Sequence, residues 1–138
     1  MTRELAGGFE VDDDPARIDV SAVYTFLSRE AYWARGRSRE TVERLIREAD
    51  RVVGVYRENR QIGFARAFTD GVAIAYLADV YVLPEFRGSG LGAELLREMI
   101  DRGPYVGVKW LLHTTDAHGL YRKFGFGEPS EKVLERLP

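Results

Sequence analysis

Residues 85–100, EFRGSGLGAELLREMI, join a glycine-rich turn to the start of a helix. Gly88, Gly90 and Gly92 lie within five positions, and the residues after them have the apolar spacing of a helix. Because a glycine costs a helix roughly 1 kcal/mol relative to alanine, its presence here indicates a close approach or an unusual backbone angle. The unpaired N–H groups of a first helical turn attract anions, commonly phosphate. The stretch therefore predicts a phosphate-binding turn.

Apolar spacing on both sides of this turn predicts one α+β domain spanning residues 1–138. Before the turn we expect two helices, a hairpin and a central strand with both faces covered, over Val20–Leu27, Val42–Ala49, Val52–Arg57, Ile62–Phe68 and Val72–Leu83. After it we expect a helix, a strand, a short helix and a terminal strand or helix, over Leu91–Ile100, Val106–His113, Ala117–Lys123 and 127–138. Ser38 and Asp116 are candidate N-caps, and Phe9–Val11 is a candidate extra strand.

Composition narrows the classes of function. The chain has 20 Lys and Arg against 22 Asp and Glu, and its net charge of −2 argues against nucleic acid or a membrane surface as partner. It has no cysteine and two histidines, His113 and His118, which is too few for a histidine-rich metal site. We find no signal peptide or membrane-spanning run, so we expect a cytoplasmic protein without a metal, as a monomer or a homodimer.

Three kinds of phosphate-binding turn compete for the glycine-rich stretch. A P-loop needs Lys followed by Ser or Thr after its last glycine, whereas Gly92 is followed by Ala93. Gly88, Gly90 and Ala93 match the dinucleotide-binding pattern G-x-G-x-x-A, but the strands before them are predicted to be antiparallel. Residues 87–92, RGSGLG, fit a third pattern, R/Q-x-x-G-x-G/A. An ordinary tight turn that binds nothing is the alternative.

Two segments carry a resemblance to a known family. With the preceding VYVLPEF (residues 80–86), residues 87–92 closely resemble the acetyl-CoA-binding core of the GNAT superfamily of N-acetyltransferases. AHGLYRKFGF (residues 117–126) resembles the second pattern of that family, A-x-x-L-Y-x-K-x-G-F. Two patterns at the family's spacing are far more specific than one. The resemblance implies the GNAT fold, with a mixed sheet of six or seven strands and about four helices, and acetyl-CoA as co-substrate.

The resemblance also implies where the co-substrate binds. In the family, the pyrophosphate of coenzyme A lies on the glycine-rich turn, and the pantetheine arm pairs with the open edge of the preceding strand. A side chain at position 90 or 92 would then block the close approach, and the Val82 N–H would face the thioester carbonyl. The expected contacts are Tyr81, Val82, Arg87, Gly88, Ser89, Gly90, Leu91, Gly92 and Ala93. Thr114 stands where relatives often have an asparagine, and we expect it to contact the co-substrate or the helix.

Tyr121 aligns with the tyrosine that protonates the leaving thiolate in many relatives. A phenol of pKa about 10 can donate to a thiolate whose acid has a pKa near 8.5. A tyrosine that only packs in the core is the alternative.

No general base is evident from the sequence. Asp79 is the only charge in the apolar run Val72–Leu83, and burial there would raise its pKa and make it a candidate base. A carboxylate paired with an arginine to hold the sheet is the alternative. His113 and His118 are candidates to relay a proton, with solvated or structural roles as the alternative.

The acetyl acceptor is expected at the amino-terminal helices, which wall the acceptor cleft in the resembling family. There the segment SREAYWARGRS (residues 28–38) offers Tyr32 and Trp33 as a stacking wall and Arg37 as a partner for an anionic group. A solvated corner between helices is the alternative. We expect an N-acetyltransferase acting on a small-molecule amine. A protein acetyltransferase and a non-catalytic acyl-CoA-binding module are the alternatives.

Overall fold

The structure is a computed structural model that describes residues 1–138. Its six-stranded sheet has the order β1-β2-β3-β4-β5-β6, in which only β5 and β6 are parallel. The strands are β1 (Thr2–Leu5), β2 (Phe9–Asp12), β3 (Arg51–Arg57), β4 (Arg60–Thr69), β5 (Ile74–Val82) and β6 (Lys109–Leu111). The helices are α1 (Val20–Arg29), α2 (Arg39–Glu48), α3 (Leu91–Leu96) and α4 (His118–Arg122). This confirms the predicted α+β class.

The helices cover both faces of the sheet. On one face α3 packs through Leu95 and Leu96, and the turn that continues it packs through Met99, all fully buried. On the other face α1 packs through Phe26 against Tyr81. α2 begins at the predicted N-cap, where the Ser38 hydroxyl accepts a hydrogen bond of 3.1 Å from the Thr41 N–H. None of the helices is both long and apolar enough to cross a membrane.

Several predicted boundaries are corrected. The amino terminus adds β1 to the expected β2. Residues 127–138 form neither strand nor helix, and all of them are exposed, including the apolar Val133, Leu134 and Leu137. The helix after the glycine-rich turn widens into a π-helical turn over Arg97–Asp101. The strand predicted over Val106–His113 shortens to β6, since only Lys109–Leu111 pair with β5.

β5 is a central strand, as the sequence predicts, only in its first third. β6 pairs with it from Ile74 to Tyr76 and then diverges, so the edge of β5 from Leu77 to Val82 has no neighbouring strand. Nor are both faces covered throughout, because the side chain of Ile74 is 40% exposed. This divergence creates the opening in which the candidate site lies.

Candidate active site

The glycine-rich turn has the backbone that only glycine adopts easily. Gly88 and Gly90 have φ angles of +87° and +81°, and Gly90 is the N-cap of α3. A Cβ at either position would meet no protein atom within 4 Å. Crowding within the protein therefore does not require glycine at position 90, and the space in front of the turn is open to a ligand. Gly92 differs, because a Cβ there would lie 3.4 Å from Cδ2 of Leu120 on α4.

A side-chain hydrogen bond connects the glycine-rich turn to the open edge of β5. Nε of Arg87 donates a hydrogen bond of 3.0 Å to the Val82 carbonyl. The next amide, that of Leu83, donates to Ile62 of β4 at 2.8 Å, so by the alternation of a strand the Val82 amide faces away from β4. The ring of Tyr81 is buried against Phe26, so only the main chain of Tyr81 can serve a ligand at this edge.

A cavity of about 310 Å³ opens where β5 and β6 diverge. Its lining brings together six residues that the sequence predicted for the site: Tyr32, Trp33, Arg37, Asp79, Thr114 and Tyr121. Of the two histidines that were candidates to relay a proton, His113 lines the cavity and His118 does not. The predicted co-substrate residues 81, 82 and 87–93 lie outside this lining, at and beyond the carboxyl end of β5.

Tyr121 lies on α4 at the wall of the cavity. It is 8% exposed, and its ring meets that of Phe126 edge to face at 5.8 Å between centroids. Burial, together with the nearby Asp116 and Tyr32, raises the pKa of the Tyr121 hydroxyl to about 12. The hydroxyl therefore keeps its proton throughout the neutral range.

Asp79 lies in a bulge of β5. Its φ is +54°, and the pairing register with β4 shifts between Phe64 and Arg66 opposite it. Its carboxylate accepts hydrogen bonds from Arg66 Nε at 2.7 Å, from Arg37 Nη1 at 3.0 Å to each oxygen, and from Trp33 Nε1 at 2.7 Å.

These contacts correct the electrostatic prediction for Asp79. Burial alone would raise its pKa, but the guanidinium groups of Arg66 and Arg37 outweigh burial and hold the pKa below its usual value. The expected rise is therefore wrong, and the arginine-paired alternative describes the observed contacts.

The 30–38 segment, between α1 and α2, makes hydrogen bonds to residues on both sides of the cavity. Trp33 and Arg37 bind Asp79 of β5, whereas the Tyr32 hydroxyl accepts a hydrogen bond of 3.1 Å from the Thr115 amide. The rings of Tyr32 and Trp33 meet edge to face at 5.0 Å. The segment is thus a fixed wall.

Thr114, and not Asp116, supports the start of α4. The Thr114 hydroxyl accepts a hydrogen bond of 3.3 Å from the Ala117 amide, and no side chain caps the helix at its first residue. The predicted Asp116 cap is wrong, because the N-cap residue is Ala117 and no side chain, that of Asp116 included, accepts a hydrogen bond from the first turn of α4. The Thr114 carbonyl also lies 3.2 Å from Nε2 of His118.

Sequence reasoning missed three residues of this region. Arg66 carries the only charge in the run Ile62–Phe68, the same signal that singled out Asp79 on the next strand. The Tyr76 hydroxyl is hydrogen-bonded to Nδ1 of His113, and Nε2 of His113 lies 2.8 Å from a carboxylate oxygen of Glu135. No sequence pattern indicated a role for Glu135, because it lies in the irregular carboxyl-terminal segment.

Known proteins resemble this chain in sequence and in fold. The sequence profile of the acetyltransferase (GNAT) family matches residues 7–126. A crystal structure of a proposed GNAT acetyltransferase from Xanthomonas campestris pv. campestris is 33% identical, with a TM-score of 0.88 over 94% of this chain and 93% of that one.

Two curated proteins match over nearly the whole chain. A proposed acetyltransferase of Gibberella zeae is 29% identical over 91% of this chain and 82% of its own length. Serotonin N-acetyltransferase 2, a chloroplastic protein of Oryza sativa subsp. japonica, is 32% identical over 94% of this chain and 68% of its own length. From the profile and these relatives we conclude that the chain belongs to the acetyltransferase (GNAT) family and is an acetyltransferase that uses acetyl-CoA.

Proposed function

We propose that this acetyltransferase moves the acetyl group directly to the primary amine of a small molecule, with Tyr121 as the general acid. One observation carries the proposal: a single cavity brings Tyr121 and the 30–38 segment together at the unpaired edge of β5. The cavity volume of about 310 Å³ equals roughly ten water molecules, which suits a small acceptor better than an extended peptide.

The carboxyl end of β5 fits the co-substrate, which supplies an acetyl group activated as a thioester. Amides of residues 88–93 would hold the pyrophosphate, because Gly88 and Gly90 leave the space before them open. The Val82 amide, turned away from β4, would pair with the pantetheine arm and is the candidate hydrogen-bond donor to the thioester oxygen.

Tyr121 protonates the leaving thiolate in this proposal. As the acceptor nitrogen bonds to the thioester carbon and the carbon–sulfur bond breaks, negative charge grows on sulfur and the Tyr121 hydroxyl gives it a proton. A pKa of about 12 keeps that proton in place until the charge develops. Burial in the same cavity also raises the basicity of the departing sulfur, which makes the transfer easier.

The acceptor nitrogen must also lose a proton, and His113 is the group we propose for this step. The Asp79 carboxylate already accepts hydrogen bonds from three residues and its pKa is lowered, and both facts disfavour it as a base. His113 lies at the cavity wall between the Tyr76 hydroxyl and the Glu135 carboxylate. A proton taken at Tyr76 could thus pass to Nδ1 of the imidazole, whose other ring nitrogen faces the Glu135 carboxylate.

Release of free thiol from acetyl-CoA, measured across small amines and peptides, tests the proposal. We expect turnover with small primary amines and little with lysine-containing or amino-terminal peptides. Preferential turnover of peptides would instead make the chain a protein acetyltransferase. A thermal shift with acetyl-CoA without thiol release from any acceptor would make it an acyl-CoA-binding module.

A further inference from the structure

Two guanidinium groups share one buried carboxylate in the cavity wall. Arg37 reaches Asp79 from the 30–38 segment and Arg66 reaches it from β4, and both bond to Oδ2, at 3.0 and 2.7 Å. Trp33 Nε1 and a second contact from Arg37 Nη1 occupy Oδ1. With four hydrogen bonds accepted, this carboxylate has no capacity for another donor.

The two arginines still have donors to spare. Each uses only one nitrogen on Asp79, which leaves Nε and Nη2 of Arg37 and both Nη atoms of Arg66 without an acceptor in the protein. The side chain of Arg66 is only 9% exposed and that of Arg37 is 27% exposed, and both residues line the cavity. None of these free nitrogens is fully buried, so they are accessible to an acceptor that enters the cavity.

The hydrogen-bonded cluster of Arg37, Arg66 and Asp79 therefore carries one excess positive charge, with two cations against one anion. The cavity lining as a whole is balanced, because Asp116 also lines it. Two further carboxylates lie nearby, and neither bonds to these arginines. Asp116 lies at the exposed rim, and Glu135 binds His113. The free donors and the local excess of positive charge are thus located at the same two side chains.

We infer that Arg37 and Arg66 bind an anionic group, a carboxylate or a phosphate, carried by the acetyl acceptor. The inference rests on the proposed function, since it names the class of amine that the cavity takes. Guanidinium groups match the paired oxygens of both anions, and adjacent guanidinium groups strengthen the match. Tyr121 lines the same cavity, so the acceptor amine would meet the thioester at one end while its anion lies at the other.

Matched acceptors test this inference. Glycine, β-alanine, 4-aminobutyrate and 6-aminohexanoate form a series in which the distance from amine to carboxylate grows, and aminoalkyl phosphates of the same lengths form a second series. Uncharged n-alkylamines of equal length are the reference. We expect kcat/KM for the best anionic amine to exceed that of its uncharged match by about tenfold or more. Comparison of the two series identifies the anion.

Arg37→Gln is the principal variant, because Arg66→Gln would disturb a more deeply buried ion pair. Arg37→Gln also removes a contact to Asp79, so some loss is expected on every acceptor, and the inference predicts that the loss in kcat/KM is about tenfold larger for the anionic acceptor than for the alkylamine. Arg35→Gln is the matched control, since Arg35 is exposed on the same segment and lies outside the cavity lining. Equal losses on charged and uncharged acceptors would overturn the inference.

A binding measurement separates this inference from the proposed function. N-acetyl-4-aminobutyrate and N-butylacetamide are titrated into the wild type and the Arg37→Gln variant without any turnover. If no amine is acetylated but the anionic compound binds in an Arg37-dependent way, the anion site stands, whereas the proposed function falls and with it the assignment of the anion to an acetyl acceptor. If small amines are acetylated with no preference for an anionic acceptor, the proposed function stands and the inference falls. Neither turnover nor anion binding would overturn both.

Discussion

Nε of Arg66 donates a hydrogen bond of 2.7 Å to Oδ2 of Asp79, and both side chains are more than nine-tenths buried. The pair spans two neighbouring strands at the bulge where Asp79 takes a φ of +54°. It also anchors Trp33 and Arg37, which wall the cavity. These contacts favour a positioning role for Asp79, in which it holds the acceptor wall against β5.

Asp79→Asn tests this role against that of a base. The amide keeps the shape but removes the negative charge between two guanidinium groups, so we expect the free energy of unfolding to fall by about 3 kcal/mol. Urea unfolding measures the loss, and KM for the acceptor should rise because its wall loosens. Glu48→Gln, in an exposed pair with Arg44, is the control and should change stability by less than about 0.5 kcal/mol. Unchanged stability with abolished turnover would restore Asp79 as the base.

The sequence predicted part of the candidate site: Tyr121 lines the cavity as expected, but the pKa of Asp79 shifts in the opposite direction from the one predicted. The fold class and the gathering of Tyr32, Trp33, Arg37 and Tyr121 at one opening followed from local patterns and from the family resemblance. The sign of the Asp79 pKa shift did not, because it depends on Arg66 and Arg37, which are 13 and 42 positions away along the chain. The family resemblance implied an open edge on β5, but the point at which β6 stops pairing, after Leu111, did not follow from the sequence, since pairing depends on tertiary contacts and not on strand propensity.

Gly90→Val should abolish acetyl-CoA binding. A β-branched residue is strained at a φ of +81°, and its side chain would fill the open space that the pyrophosphate needs. Gly71→Val is the matched control, because Gly71 has a φ of +79° and equally open surroundings in the turn before β5, at the far end from α3. Thermal melts with and without acetyl-CoA measure the difference. An equal ligand-induced shift in both variants would contradict the assignment of the turn.

The two histidines should differ in their effect on turnover. His113→Gln breaks the contacts with Tyr76 and Glu135 at the cavity wall, so we expect kcat/KM to fall about a hundredfold, as for loss of a general base. His118→Gln alters only a contact with the Thr114 carbonyl and should leave kcat/KM nearly unchanged. Thiol-release assays from about pH 6 to 9, across the range in which an imidazole titrates, measure both variants. Similar profiles for the two variants would remove His113 from the proton path.

Asp12 should contribute to stability in acid. Burial opposes its ionisation, but hydrogen bonds from the Thr2 hydroxyl, the Asp14 amide and Arg17 outweigh burial and lower its pKa from 3.8 to about 2. A depressed pKa means that the contribution is present above pH 3.8 and is lost as the pH falls through 2, about 2 kcal/mol in all. Urea unfolding between about pH 2 and 5 should therefore show a shallower dependence for Asp12→Asn than for the wild type. Asp101→Asn, at an exposed position, should leave the wild-type slope intact.

Tyr121→Phe removes only the hydroxyl that we propose as the acid. The ring and its contact with Phe126 remain, so the melting temperature and acetyl-CoA affinity should change little. Turnover should fall by about 10²–10⁴, the usual contribution of general acid catalysis. Tyr24→Phe, on the half-buried face of α1 outside the cavity, is the control and should keep wild-type turnover.

The leaving group and the pH dependence distinguish an acid from a packing residue. An acyl donor with a more acidic thiol needs less help, so the loss in Tyr121→Phe should shrink with such a donor. Because the pKa of Tyr121 is raised to about 12, its acid form persists as the pH rises, and the wild-type rate should show no decline from Tyr121 ionisation below about pH 11. Near-normal turnover in Tyr121→Phe when chemistry limits the rate would assign the proton to water or to another group.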